Sequence, residues 1–428
     1  MQRTAAVAGV VQRGVSESLR ICLQSLKSIL FVQKSNIQYL CIQIENRCEI
    51  FFMKNVGMAF LLILFFAIIG IAVWYVASRT AWLLDIRPLW CHIGYGVALV
   101  LSFMAMGTYA AKFTAGPVIH PLTVFFCYLC AVLVILLLAF LVVDLVHLAV
   151  PLNKTVFGIS VLVLTAGVSA YGFIHAASPK LKEVTIELPH LKKEVTAVQL
   201  TDVHIGHFRG QKHLHKLVDM VNAAEPEVIF FTGDFLESWY NCSEETIAPM
   251  KELKAPVFFV DGNHDTYVDA AYVKELCRKA GLRVLENETV EYAGLQIVGL
   301  DYMVADENAR DDMHAAKSDE TIQSAMPKMG VKDSLATVVL HHNPVGAGYI
   351  EAAGADLFLS GHTHGGQFFP LTLINDRLFE YNRGLYYCND MAVYVSCGSG
   401  TYGLPLRIGT DSEVTLLHLK PRKPGLQQ

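Results

Sequence analysis

A chain of 428 residues, 53% of them apolar, is long enough for two or three domains, and its apolar residues are too concentrated in one region for an ordinary soluble protein. With 34 Lys and Arg against 39 Asp and Glu, it lacks the basic excess of a nucleic-acid-binding protein, and that class is set aside. Its ten cysteines follow no disulfide-framework spacing.

Residues 1–56 carry Arg3, Arg13, Arg20, Lys27, Lys34 and Arg47 with few acids, a composition that superficially suits a transit peptide. Met53-Lys54-Asn55 stands directly before the first apolar run, as the start of a bacterial membrane protein would. The segment is therefore read as an N-terminal extension, with translation expected to begin at Met53.

Residues 57–177 hold four runs long enough to cross a bilayer, which takes roughly 20 apolar residues: Met58–Val76, Cys91–Tyr109, Leu122–Val150 and Val156–Ile174. They predict a bundle of four transmembrane helices and a multi-pass protein of the cell membrane. Trp74, Tyr75, Trp82, Trp90 and Tyr171 near the ends suit the interfacial belt. Arg79, Asp85, Arg87, Lys112, Asp144 and Lys154 fall mostly between the runs. Cys127 and Cys130, spaced C-x-x-C inside a run, read as small hydrophobes. Asp144 and His147, one helical turn apart, raise the idea of a proton relay, but the third run exceeds what a bilayer needs and the pair is placed at the interface near Pro151. Four spans put Lys54, Lys112, Lys180 and Lys182 on one side and Arg79, Arg87 and Lys154 on the other, so positive-inside bias favours a cytoplasmic C-terminal domain.

Residues 178–192 are read as a linker and entry, 193–421 as a globular domain and 422–428 as a tail. Strands are expected at Thr196–Leu200, Val228–Phe231, Val257–Val260, Leu295–Gly299, Ala336–Leu340, Asp356–Leu359, Met391–Val395 and Val414–Leu417. Helices are expected at Gln211–Val221, Glu244–Leu253 and Ala270–Ala280. This βαβ rhythm predicts an α/β domain with one large sheet or two stacked ones. Ligands of such sheets bind beyond the carboxyl ends of strands. Five strand ends there read Thr201-Asp202-Val203-His204, Gly233-Asp234, Gly262-Asn263-His264-Asp265, His341-His342-Asn343-Pro344 and Ser360-Gly361-His362-Thr363-His364.

Carboxylate, imidazole and amide oxygen together suit divalent Mn, Fe or Zn. Asp202 with His204, and His362 with His364, stand at i and i+2, which in extended backbone aims both side chains to one side. His213 and His215 fall on a helix, where i and i+2 diverge, and are left out as surface residues. Gly233, Gly262 and Gly361 each precede a proposed ligand, where backbone must come close to the site.

The ordered pattern D-x-H, G-D, G-N-H-D, H and G-H-x-H, over roughly Lys193 to Leu419, resembles the calcineurin-like metallophosphoesterase superfamily. LTDVHIG, SGHTHGGQ and GTYGLPLRIG look like its membrane-associated branch of the YkuE and YaeI type, which includes the transmembrane protein with a metallophosphoesterase domain. The resemblance implies a four-layer α/β/β/α sandwich with two sheets packed face to face between helices. It also implies two divalent metal ions (Mn, Fe or Zn), one held by Asp202, His204 and His364 and the other by Asn263, His342 and His362, with Asp234 bridging them. Two such ions about 3.5–4 Å apart activate a shared water and clamp a phosphoester. His264, beside Asn263, is placed as the catalytic residue that stabilises developing charge or protonates the leaving oxygen, with Asp265 orienting it.

Gly398-Ser399-Gly400-Thr401-Tyr402-Gly403 matches G-x-G-x-x-G, but Pro405 and the absence of helical periodicity argue against a dinucleotide site. Arg209, Arg407 and Tyr402 are instead expected to contact substrate. That substrate is a phosphodiester or pyrophosphate. The short tether from His175 to Lys182 favours a lipid-linked one, and the resemblance makes UDP-2,3-diacylglucosamine one specific candidate. The alternative class is a membrane sensor or transporter-associated protein using the fold as a regulatory domain; four helices without facing charged pairs make a poor ion path, which weighs against transport.

Overall fold

The computed structural model describes residues 64, 66–107, 116, 119–309 and 320–422. The proposed start at Met53, the extension 1–56, Lys54, Lys112 and most of the 422–428 tail lie outside them. The described residues from Val76 onward form one compact unit.

Among the described residues, four helices are long and apolar enough to cross a membrane: α1 (Phe66–Leu84), α2 (Pro88–Gly107), α3 (Ile119–Ala149) and α4 (Lys154–Ala176). The first runs further along the chain than Met58–Val76, because Arg79 is accommodated inside the helix. Its guanidinium pairs with Asp144 of α3, Nε donating to Oδ2 at 2.8 Å. This corrects the expectation that the helices lack facing charges. Arg79 and Asp144 each lie five residues from a helix end. Asp85 pairs with Lys154 at that end. Helix α4 is started by Asn153, whose side chain accepts from Val156 N.

Beyond Ala177 the chain builds two six-stranded sheets. The first runs β1 (Lys180–Leu188), β12 (Glu413–Pro421), β2 (Val195–Leu200), β3 (Val228–Thr232), β4 (Val257–Val260), β5 (Arg283–Val284). The second runs β10 (Gly384–Cys388), β11 (Met391–Val395), β9 (Leu357–Ser360), β8 (Ala336–Leu340), β7 (Leu295–Gly299), β6 (Glu288–Tyr292). The segment read as a linker contains an edge strand, β1, paired in parallel with β12 over nine residues. Its alternation was hidden by exposed Lys and Glu on the outer positions.

Strand alternation assigns each face. Ala197, Val228, Phe230, Phe258 and Val260 of the first sheet meet Leu295, Ile297, Val338, Leu340, Leu357 and Leu359 of the second in a core between the sheets. The opposite face of the first sheet, including Val198, Ile229 and Phe231, is covered by α5 (Gln211–Ala223) through Leu214, Leu217, Val218 and Val221, and by α8 (Ala270–Lys279) through Val273, Leu276 and Cys277. The opposite face of the second sheet packs on α9 (Ile322–Ala325) and α10 (Ala347–Ala352). The result is the α/β/β/α sandwich. The helix expected at Glu244–Leu253 is only α6 (Glu244–Ile247) followed by a 3₁₀ turn, since Pro249 cannot donate in an α-helix interior.

Helices α3 and α4 pack directly on this domain. Cys127, Cys130, Ala131 and Ile135 of α3 share one apolar cluster with Phe368, Leu404 and Leu406, joined by Val168 and Phe173 of α4. Arg407 N donates to Gly172 O at 3.1 Å, and a side chain at Gly172 would fall 2.4 Å from Leu406 Cδ1.

Candidate metal centre

Because β2, β3 and β4 are parallel neighbours, as are β8 and β9, their carboxyl-end loops emerge side by side. Backbone bonds stitch these loops together: Asp202 N to Gly233 O at 3.0 Å, His204 N to Asp234 O at 3.2 Å and Gly361 N to His342 O at 2.9 Å. The convergence expected from i, i+2 spacing occurs, but not through extended backbone. Asp202, His204, Asp234, His362 and His364 all have left-handed φ, between 49° and 72°. Each such residue costs about 1–3 kcal/mol, which the surrounding packing must offset. Gly262 and Gly361 serve close approach: a Cβ would fall 2.2 Å from Asp234 Oδ1 at the first and 2.2 Å from Asp202 Oδ2 at the second.

Among the described residues, three overlapping groups of ligand atoms result: Asp202, His204 and His364; Asp202, Asp234 and His342; His204, Asp234 and His264. Asp202 Oδ1 lies 3.1 Å from His364 Nε2 and 3.7 Å from His204 Nε2. Asp234 Oδ2 lies 3.1 Å from His342 Nε2 and 3.7 Å from His204 Nε2, so it faces both ends of the cluster. Asn263 Oδ1 is 2.9 Å from His362 Nδ1, and the His342 and His362 rings are 5.2 Å apart. Ligand atoms about 2.0–2.2 Å from a shared ion stand about 3–3.5 Å from one another; the pairs at 3.1 Å have that spacing and the pairs at 3.7 Å come close to it.

Charge and hydrogen bonding agree with a cation. Asp202, Asp234 and Glu237 are buried together. Burial opposes the charge on His204, but Glu237, Asp202 and Asp234 outweigh it and raise the imidazole to about 10. Burial likewise opposes charge on His342, and Asp234 and Asp202 raise it to about 9. The carboxylates thus demand positive charge at this point, from protons or from metal. His342 Nδ1 lies 2.7 Å from Thr232 O, which fixes a proton there and turns Nε2 into the cluster, 3.1 Å from Asp234 Oδ2. The donor set fits a divalent ion.

Sequence reasoning missed the residues behind the cluster. Glu237 pairs with His204 Nδ1 and accepts from Gly403 N at 3.0 Å, a carboxylate behind a ligand-type histidine. The one signal was an acid three residues after Asp234 in an otherwise apolar turn. Thr201 Oγ1 donates to Asp202 Oδ2 at 2.7 Å.

Other expected site residues divide. His342 rather than His341 faces the cluster; His341 is turned away, with Nδ1 2.8 Å from Asn343 O and Nε2 accepting from Met303 N. His264 stands at the cluster, its ring 4.8 Å from that of His204 and its backbone N–H donating to Asp234 Oδ1 at 2.9 Å. Asp265 does not orient it: its carboxylate accepts from Phe235 N, Leu236 N and Gly262 N at the start of α7 (Asn263–Val268). Arg407 is not a substrate contact. It is fully buried and spends its guanidinium on Cys397 O, Gly400 O, Asp411 O and Thr410 Oγ1, with Nη2 3.1 Å from His364 Nδ1. Arg209 is buried too, bonding Thr401 Oγ1 at 2.6 Å and Ala176 O of α4 at 2.7 Å, which fastens a membrane helix to a site loop. Tyr402 is 37% exposed, with its ring 5.0 Å from that of His364. His213 is half-buried rather than a free surface residue: its Nε2 is buried, and burial, with Arg209 and Lys216 nearby, lowers it to about 3.

A model of the family described as calcineurin-like phosphoesterase matches residues 195–366, which contain every one of these proposed ligands. An uncharacterized metallophosphoesterase of Campylobacter jejuni is 30% identical over 276 residues, 63% of this chain and 71% of that protein. The chain belongs to this family. A transmembrane protein with metallophosphoesterase domain of Danio rerio is 30% identical over 60% of this chain and 62% of its own length. The metallophosphoesterase YkuE of Bacillus subtilis, also uncharacterized, is 29% identical over 60% of this chain and 92% of its own. The family's reliance on divalent metal agrees with the Asp and His groups above.

Proposed function

We propose that this is a membrane-anchored phosphoester hydrolase that uses two divalent ions to cleave a phosphodiester or pyrophosphate bond in a lipid-linked substrate. The convergence of Asp202, His204, Asp234, His342 and His364 at one set of strand ends carries the hydrolase reading. Asp202, His204 and His364 would hold one ion, Asn263, His342 and His362 the other, and Asp234 both. Such ions supply an activated water and neutralise phosphate oxygens. Glu237 and Arg407 hold His204 and His364 in place, and His264 offers a proton donor at the edge of the cluster. Tyr402 is the retained substrate contact.

The lipid reading rests on the packing of the site loops, through Phe368, Leu404 and Leu406, against α3 and α4. A site held there works at the high local concentration of a membrane-borne substrate. Counted along the sequence, Lys54, Lys112, Lys180 and Lys182 on the domain's side, against Arg79, Arg87 and Lys154 on the other, favour the cytoplasmic face of the cell membrane for the domain. The test uses the full chain in detergent micelles with manganese. A lipid-linked pyrophosphate should turn over faster than its water-soluble headgroup analogue; equal rates would leave the helices as an anchor, and no hydrolysis of either, nor of a chromogenic diester, would remove the enzyme.

A further inference from the structure

Helix α11 (Leu371–Leu378) follows the SGHTHGGQ loop directly. Its inner side is fastened to the site. Asn375 Nδ2 donates to Thr363 O at 3.0 Å, between His362 and His364, and Asp376 Oδ1 accepts from Asn382 Nδ2 at 2.6 Å. Its outer side is apolar and open: Leu373 is 49% exposed, Ile374 49% and Leu378 71%, with Phe369 48% just before the helix. Among the described residues beyond Ala177, Leu181 is the only other large aliphatic side chain exposed. Arg377 sits within the same face.

The position of this face relative to a bilayer follows from two counts along α3 and α4. A hydrocarbon core takes about 20 helical residues. Counted back from Val143, which leaves Asp144 and His147 in the interface, that length ends near Val124, under two turns before Cys130; counted forward from Lys154, it ends near Phe173. Cys130 and Phe173 belong to the same apolar cluster, and so do Phe368 and Leu371, which flank and begin α11. The helix therefore lies where the hydrocarbon of both spans ends. Exposed aliphatic residues with an arginine among them suit that layer, the arginine reaching phosphate while its neighbours reach acyl chain.

Beside α11 a cleft of about 950 Å³ opens, lined by Leu378, Phe379, Tyr381, Tyr349 and His362. The Phe379 ring is 5.9 Å from that of His362. The apolar face thus borders the open end of the metal centre.

We propose that Phe369, Leu373, Ile374 and Leu378 insert into the interfacial layer of the bilayer, and that membrane lipid reaches the His362 cleft past this helix. The second half rests on the hydrolase reading above; the first does not. Two measurements on the full chain in phospholipid nanodiscs separate them. With the photocrosslinker p-benzoylphenylalanine in place of Leu373, illumination should add the mass of a phospholipid, as it should in place of Leu145 in α3, whereas Tyr387 in β10 should give none. A phospholipid adduct from Leu145 and none from Leu373 overturns the insertion. The variant Leu373→Glu/Ile374→Glu should turn over a lipid-linked pyrophosphate about tenfold or more slowly, from the lost burial of two aliphatic side chains. Its rate on a water-soluble chromogenic diester should stay within about twofold. Equal losses on both substrates, or none on either, overturn the route for lipid. If the unmodified protein hydrolyses nothing, the hydrolase reading fails while the crosslink still decides the insertion.

Discussion

The two ends of the candidate metal centre are built differently. Around Asp202, His204 and His364, all at most 2% exposed, every ligand-type side chain has a partner behind it: Thr201 on the aspartate, Glu237 on His204, Arg407 against His364. Around Asn263, His342 and His362, His342 is fixed by the Thr232 carbonyl, Asn263 Oδ1 lies 2.9 Å from His362 Nδ1, and His362 is half-buried at the wall of a cleft. A fully backed ligand set favours tight, slowly exchanging metal, and an open one favours entry of substrate oxygen. The buried end is thus suited to hold and the open end to receive.

Breaking what the two ends share should have the largest effect. Asp234→Ala should lose both metals and all measurable hydrolysis; metal analysis that finds either ion retained would show that the carboxylate does not join the ends. His264→Ala comes next, with metal content unchanged and kcat lower by roughly 10² to 10⁴-fold, the range for a lost general acid. Because His264 also lies within one ligand-type group with His204 and Asp234, a metal-free variant would make it a ligand instead.

Sharper discrimination comes from residues that touch only one end. Glu237→Gln should weaken metal affinity by roughly 10 to 100-fold with KM little changed, as for other partners of metal-binding histidines. Titration with a metallochromic indicator reads this directly, and an unaltered affinity would reduce Glu237 to packing. The smallest effect is expected from Thr201→Val, which removes the donor to Asp202 Oδ2 while keeping the shape. Thermal unfolding should show a loss of about 1 kcal/mol, and a loss of several times that would mean the hydroxyl holds the whole loop.

Most of the ligand-type residues were legible because strand ends and ligand chemistry are both local properties. Asp202, Asp234 and His364 sit where short apolar runs stop, and β4, β7, β8 and β11 occupy the expected residues. The residues behind the cluster were not legible, since Glu237 meets His204 and Arg407 meets His364 only through the tertiary fold. The left-handed backbone at five of the proposed ligands was missed for a related reason: non-glycine residues rarely adopt it unless packing compels them. Arg209 and Arg407 misled because the sequence shows a charge but not where the chain spends its donors. Among the edge strands, β1 carries Lys and Glu on outward positions, which breaks the apolar pattern that marks a strand.

The contact of Gly172 with Leu406 reaches into practical handling of the protein. A fragment beginning near Lys180 would retain every proposed ligand, yet uncover Phe368, Leu404 and Leu406, now shielded by α3 and α4. Such a fragment should self-associate on expression, and heat should melt helices and sandwich in one transition rather than two. Solubilisation would then depend less on the choice of boundary than on keeping the last two spans attached.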